Sequence, residues 1–450
     1  MTVHHIIPPY LLEHLERTAP DPTLRARYRQ SLQHDATFRT RPATDAAAAE
    51  IAGGLHRSVH DAQHETSLPG TLVRAEGAEA VEDAAVNEAY DGTGATWTMY
   101  KECFDRDSID GAGLPLISTV HYDRDYANAF WDGSQMVFGD GDGEIFGGFT
   151  GSVDVTGHEL THGVTQYTAN LAYEGQSGAL NESISDVFGS LAKQHHLGQT
   201  AADADWLIGA GIFRPGVQGV ALRSMAAPGT AYDDPRLGKD PQPAHMSDYV
   251  ETTEDNGGVH INSGIPNRAF YLVATALGGN AWSEAGRIWY ATLTSGDLPE
   301  TVDFTTFATA TQAAATTLYG PNSPQQTAVT TAWQQVGVLT QPTDPSTNQP
   351  TDEPPADQSP TDQPPADQSP TDQPAGEPPT DQPPAEPSTD QPPAAPSSGN
   401  PTSDDSTPDD AVSDEALAAE SAELMRAANA LDTSTPPAPP APPAASPSTD

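Results

Sequence analysis

The chain has 450 residues and a formal net charge of −44, and so acidic a chain is repelled by phosphate backbones, which argues against nucleic acid as a partner. No run of apolar residues approaches the length of a membrane span. Cys103 is the only cysteine, so no intramolecular disulfide can form, and it reads as a buried structural thiol rather than a metal-masking thiolate.

The opening, MTVHHIIPPYLLEHLERTAP, lacks the apolar core of a signal peptide, because Pro8 and Pro9 break its apolar run and Glu13 follows. Pro8 and Pro9 predict an extended start, and YLLEHLERTA predicts a helix after it. Segment 1–50 is too short to hold a core of its own, so it is expected to dock on its neighbour or to be removed. Over 51–165, short β-type runs such as GTLVRA, LISTVHY and NAFWDGSQMVF alternate with Asp-Gly and Gly-Gly punctuation and predict strands and hairpins. Over 166–339 the apolar spacing is helical in GALNESISDVFGSLAKQHH, IPNRAFYLVATAL and PNSPQQTAVTTAWQQVGV. The expected fold is therefore α+β, a β-rich half meeting a helical half with a cleft between them.

Residues 340–450 consist mainly of Pro, Thr, Asp, Gln, Ser and Ala, with Arg426 the only basic residue. So few large apolar side chains cannot offset the entropy of ordering, and a disordered arm is expected. The near-repeats TDEPPADQSP, TDQPPADQSP and TDQPAGEPPT, beginning at 351, 361 and 371, suit an extended spacer. Within the arm, 409–431 alone carries a helical pattern.

The chemistry concentrates in HELTH, 158–162. His158 and His162, four residues apart, project from one helical face and can reach one Zn²⁺, while Glu159 lies on another azimuth, suited to a water molecule. A catalytic zinc needs a third protein donor, and Glu182 stands twenty residues after His162 on the next helical stretch. Asp186 sits one turn beyond Glu182, where it can accept the far N–H of a ligand histidine. Zinc brings the pKa of water down to about 7, within reach of a carboxylate base such as Glu159. Attack on an amide builds an oxyanion, and in EDNGGVHINSGIPN His260, oriented by Asp255, is a candidate donor to it.

NAFWDGSQMVFGDGDG, GHELTHGVTQYTANLAYEGQSGALNESISDVFG, LRSM and DNGGVHINSGIPN, in that order between about 70 and 338, resemble the thermolysin-like neutral metalloproteases. The opening IIPPYLL resembles the short propeptide of the protealysin-type branch. The resemblance implies a β-rich N-terminal and a helical C-terminal catalytic subdomain joined by the helix that carries His158 and His162. It implies zinc on His158, His162 and Glu182, with Glu159 as the base. Tyr173 and His260 would be oxyanion donors, Asp255 would orient His260, and Asp186 would support His158. Asn128, the backbone of Ala129, and Arg223 would hold the substrate main chain. Phe149, Val155, Ile208 and Leu222 would form an apolar pocket for the residue after the scissile bond. A monomeric, secreted protease acting on proteins or peptides is implied, made as a precursor that cuts itself somewhere between about 35 and 65. The missing signal peptide leaves cytoplasmic retention or non-classical export open. A non-catalytic peptide-binding relic of the fold would have been free to lose Glu159, Tyr173 or His260, and all three stand.

One departure concerns calcium. Of the carboxylates that hold a double calcium site in such enzymes, Asp154 and Asp205 remain, whereas Lys193, Leu207 and Ala210 stand at matching positions. Two carboxylates are too few for two Ca²⁺ ions, and the Lys193 ammonium is expected in their place.

Overall fold

The structure, a computed structural model, describes residues 4–39 and 53–340. The repeats, the 409–431 stretch and the expected end of the propeptide near residue 50 lie outside the described residues.

The chain opens with β1 (His4–His5), α1 (Pro9–Thr18) and α2 (Pro22–Arg39). Pro8 is extended, with φ −61° and ψ 143°, but Pro9, expected to be extended too, is the first helical residue of α1. Proline is accommodated there because a first-turn N–H has no partner within the helix. Leu11, Leu12 and Leu15 of α1, together with Ile6, Ile7 and Tyr28, are buried in the same apolar cluster as the body of the protein. The opening segment therefore docks, as its length requires.

Next come β2 (Arg57–Asp61), β3 (Thr71–Ala75), α3 (Ala84–Phe104), β4 (Leu116–Val120), β5 (Ala129–Trp131) and β6 (Met136–Phe138). The strands form one sheet in the order β1-β5-β6-β4-β2-β3. β1 pairs antiparallel with β5, β5 with β6 and β2 with β3, while β4 is parallel to both β2 and β6. The strand read at GTLVRA is β3, and that at LISTVHY is β4. Helix α3 was not anticipated in this half. Its DGTG reads as turn punctuation, yet Gly92 and Gly94 lie within the helix, where a Cβ would stand 3.0 Å from Thr156 Oγ1 and 2.3 Å from Arg57 Nη1, so close packing favours glycine there. Close packing overrides poor helix propensity.

The remaining elements include α4 (Val153–Gln166), α5 (Gly175–Leu197), the short pair β7 (Leu207–Ile208) and β8 (Arg223–Ser224), α6 (Asp255–Asn262), α7 (Gly264–Leu277), α8 (Ala285–Leu293), α9 (Phe304–Tyr319) and α10 (Pro324–Gln335). Helices α7 to α10 pack around buried aromatics, among them Trp289 and Trp333, whose rings stack with centroids 6.2 Å apart. Helices α4 and α5 are buried along most of their lengths. Their approach is set by two glycines: a Cβ on Gly157 would lie 3.0 Å from Gly189 Cα, and one on Gly189 would lie 2.4 Å from the Asp154 carbonyl oxygen.

At the end of β4, His121 bridges two carboxylates, with Nδ1 2.9 Å from Asp140 and Nε2 2.9 Å from Asp83, which also caps α3. The hydrogen bond to Asp140, reinforced by Asp83, raises the ring to about 9 against the effect of burial. A raised folded pKa means that this stabilisation is complete below the unfolded histidine value of about 6.5 and is lost as pH rises through about 9. Because both carboxylates are partly exposed, with side chains 40% and 36% accessible, the loss should be about 1 kcal/mol. Urea unfolding at pH 6 and pH 9.5 should show this component in the parent chain and not in His121→Gln.

Candidate active site

Helix α4 supplies His158, Glu159 and His162, and α5 supplies Glu182. The ligand atoms of His158, His162 and Glu182 all lie within 4.8 Å of one another, and the three residues are buried. His158 Nε2 is 3.0 Å from His162 Nε2 and 3.4 Å from Glu182 Oε2. The opposite ring nitrogens are committed elsewhere: His158 Nδ1 is 2.8 Å from Asp186 Oδ1, and His162 Nδ1 is 2.8 Å from Asn181 Oδ1. Each Nδ1 can donate to its acceptor, so both Nε2 lone pairs converge on one region. Glu182 Oε2 is buried there without a hydrogen-bond partner. Two imidazole nitrogens and one carboxylate suit a divalent cation such as zinc.

Burial disfavours charge on both rings, but Asp186 and Glu182 raise His158 to about 9, whereas burial and the neighbouring His158 charge lower His162 to about 3. At Glu182 burial is outweighed by His260, His162 and His158, which hold the carboxyl well below its ordinary range. Glu159 behaves oppositely: burial, helped by the Glu182 charge, pushes it well above the ordinary carboxylate range. Its Oε2 accepts from the Trp131 backbone N–H at 3.1 Å, and Oε1 has no hydrogen-bond partner.

Across the cluster, Tyr173 donates its hydroxyl to Glu182 Oε1 and lies 3.2 Å from His260 Nε2. His260 lies in the last turn of α6, just ahead of α7. Its Nδ1 is 2.6 Å from Asp255 Oδ1, and its backbone N–H donates to Asp255 Oδ2 at 2.9 Å. The DNGG run makes this possible: all four residues have φ between 50° and 83°, folding Asp255 back onto His260. Gly257 is required there also by space, since a Cβ would stand 3.0 Å from the Gly175 nitrogen. Asp255 and Glu182 raise the His260 pKa against burial.

The residues expected to hold a substrate main chain hold the N-terminal segment. Ala129 O accepts from Ile6 N–H at 3.1 Å. Asn128 accepts from Ile7 N–H at 2.9 Å and donates to Ile7 O at 3.2 Å, and Arg223 Nη1 donates to Ile6 O at 3.2 Å. His260 Nε2 lies 3.2 Å from His5 O. Phe149, Val155, Ile208 and Leu222 are all buried in the same cluster as Ile6.

Residues 31–166 match the family model of the thermolysin metallopeptidase catalytic domain, and residues 169–338 match that of its alpha-helical domain. Over 335 residues the chain is 53% identical to an extracellular metalloprotease of Pectobacterium carotovorum subsp. carotovorum, covering 74% of this chain and 96% of that protein. The chain belongs to the thermolysin metallopeptidase family. Protease PrtS of Photorhabdus sp. is 48% identical over 341 residues, 74% of this chain and 91% of that one. Among solved structures, the precursor of protealysin, a metalloproteinase from Serratia proteamaculans, superposes with a TM-score of 0.69 at 52% identity, covering 75% of this chain and 100% of that chain. The thermolysin-like architecture expected from the motifs is thus the observed one, and this chain is a metalloprotease.

Three residues of this thermolysin-family site escaped sequence reading. Asn181 and Ser185 face His162 Nδ1, at 2.8 and 3.1 Å, and Asn267 donates to Asp186 Oδ2 at 2.8 Å. Asn181 had a signal, since it precedes Glu182 and so sits beside a ligand on the same helix; Asn267 had none. Arg223 has a second role, a two-point pair with Asp186 at 2.9 and 2.8 Å. Arg223 and His158 hold Asp186 at about 2 in spite of burial. Cys103 is half-buried and stands outside the cluster, its thiol pushed up to about 11 by burial and by Glu102.

Behind the α4–α5 contact, Lys193 Nζ lies 3.2 Å from Asp154 and 2.8 Å from Asp205, and 3.4 Å from the Leu207 carbonyl oxygen. The ammonium stands between the two carboxylates, where the resemblance placed a charge in place of calcium. Lys193→Met would leave Asp154, only 2% exposed, without its counter-charge. Breaking a buried pair from one side costs about 3 kcal/mol, so urea unfolding at pH 7 should show a loss of that size, and a loss below about 1 kcal/mol would show that Asp154 takes up a proton instead.

Proposed function

We propose that this metalloprotease is a zinc-dependent endopeptidase, made as a precursor, in which His158, His162 and Glu182 hold the ion and Glu159 is the general base. The observation that carries the reading is the juxtaposition of a buried His, His, Glu donor set with a peptide carbonyl, that of His5, received by His260. Zinc at this position would supply Lewis acidity, polarising a carbonyl and acidifying water. The protein does the rest. Glu159, its pKa raised by burial and one oxygen without a hydrogen-bond partner, takes the proton of the attacking water and passes it to the departing amine. His260, oriented by Asp255, and Tyr173 donate to the carbonyl oxygen as its charge grows. Asn128, Ala129 and Arg223 fix the substrate main chain. Asp186 and Asn181 orient the two histidines.

The apolar Phe149, Val155, Ile208 and Leu222 favour cleavage before bulky hydrophobic residues, and Ile6 in the N-terminal segment is a residue of that kind. The same segment, filling the peptide-holding positions, makes the precursor latent, and self-processing between about 35 and 65 would remove it. The division into a propeptide over 1–50, catalytic subdomains over 51–165 and 166–339 and an arm over 340–450 belongs to this reading. So does action outside the cell, in keeping with the extracellular metalloprotease of Pectobacterium. No helix among the described residues is long and apolar enough to cross a membrane. With Lys193 between Asp154 and Asp205, the shared double calcium site is absent in this reading, so chelating calcium should leave the melting temperature unchanged.

Glu159→Gln should keep one zinc per chain and lose hydrolysis of a peptide with leucine after the scissile bond, because an amide cannot accept the proton. His260→Ala should lower kcat by roughly 10²-fold to 10³-fold with zinc content unchanged. Metal analysis with steady-state assays checks both; wild-type turnover in Glu159→Gln would remove the base assignment, and a zinc-depleted His260→Ala would make His260 structural.

A further inference from the structure

We propose that the His5–Ile6 peptide bond is a self-cleavage site: the N-terminal strand lies in the cleft as a substrate does, and the protein cuts it there while everything after the cut stays in place as a tethered plug. The inference rests on the hydrolytic reading above.

Direction and register carry it. β1 runs antiparallel to β5, with His4 opposite Trp131 and His5 opposite Phe130. Ile6 N–H meets Ala129 O, Ile6 O meets the Arg223 guanidinium, and both polar groups of the Ile7 backbone meet the Asn128 amide. A reversed strand, or one displaced by a residue, would set carbonyls against acceptors or N–H groups against donors at these fixed positions. Within this register the carbonyl received by His260 is that of His5, at 3.2 Å. The electrophilic carbon is therefore that of His5, and the departing nitrogen is that of Ile6. Water adds its hydroxyl to the His5 carbonyl carbon and its remaining proton, through Glu159, to the Ile6 nitrogen. The C–N bond breaks, and the products are Met1–His5 with a new carboxylate and a chain beginning at the Ile6 amine.

The two sides of that bond are anchored unequally. After it, Ile6, Ile7, Leu11, Leu12 and Leu15 are buried. Helix α2 is fastened by Tyr28 to Asp142 at 2.8 Å and by Asp35 to Tyr126 at 2.6 Å. Before it, the described residues hold on through the short β1 pairing and the His5 ring, 3.1 Å from Asp35. Cutting therefore releases the short side and leaves Ile6 and Ile7 on Ala129, Asn128 and Arg223. The event is distinct from removal of the whole segment and does not by itself open the cleft.

Full-length wild-type and Glu159→Gln proteins, both loaded with Zn²⁺, would be followed by intact mass and by labelling of new amino termini at several protein concentrations. The expected result is a propeptide-bearing wild-type species that begins at Ile6, formed at a rate independent of concentration and absent in Glu159→Gln. Activity on an added peptide should rise only with later loss of the segment. Hydrogen exchange on metal-free Glu159→Gln gives a readout apart from activity: the Ile6 and Ile7 amides should be protected, and free exchange there would overturn the register. A rate proportional to concentration would overturn cutting in place, and activity appearing together with the cut would overturn the tethered plug. A wild type that hydrolyses the added peptide while every propeptide keeps its His5–Ile6 bond overturns this inference alone; hydrolysis of no peptide at all defeats the reading on which it rests.

Discussion

The site depends on how closely α4 and α5 approach. Gly157 and Gly189 leave room for backbone against backbone, and the Asp154 carbonyl oxygen occupies the place of a side chain on Gly189. Glycine within a helix costs about 1 kcal/mol relative to alanine, so two of them facing each other point to a geometric requirement rather than to helix stability. The requirement is visible on the same two helices, where His158 and His162 from one meet Glu182 from the other. A single methyl group between the helices would push the donors apart before any chemistry was touched.

Around that contact, one carboxylate links the candidate metal site to the residues that hold the N-terminal strand. Asp186 receives His158, two nitrogens of Arg223 and the amide of Asn267. Because Arg223 also reaches the Ile6 carbonyl, the orientation of a candidate metal ligand and the position of a bound peptide share one buried anchor. Asp186 is fully buried with both oxygens engaged, so its orientation is tightly fixed. Behind it, Lys193 balances Asp154 with charge carried on the chain itself, so the packing of α4 against α5 has a built-in counter-ion.

The N-terminal segment uses the same geometry from outside. Asp35 in α2 approaches the His5 ring and accepts from Tyr126 and from the Asn128 amide, so this segment both fills the peptide-holding positions and fixes one of the side chains that form them. Docking adds a strand to the sheet edge at β5, where unpaired backbone groups would otherwise face the cleft. A two-residue strand contributes little alone; the buried leucines of α1 supply the apolar area that holds it there.

Much of this was legible in the chain itself. Helical spacing put His158 and His162 on one face, the acceptor at Asp186 followed from its place one turn past Glu182, and the family resemblance set the Lys193 charge at a position where carboxylates would bind calcium. These readings succeed because each depends on periodicity within one helix or on charge, which a linear sequence carries. The α3 segment within 51–165 reads as strands and turns because its glycines resemble turn punctuation, and only the packing against Arg57 and Thr156 shows why glycine stands inside a helix there. Asn267 met Asp186, Asp35 met His5, and His5, rather than a residue nearer the expected propeptide end, came to lie under His260, all through contacts across 81, 30 and 255 positions of chain. Sequence determined which chemical groups were available and which of them shared a helix face; tertiary structure alone decided which carbonyl His260 receives, because the register between distant strands is fixed by packing and carries no local pattern.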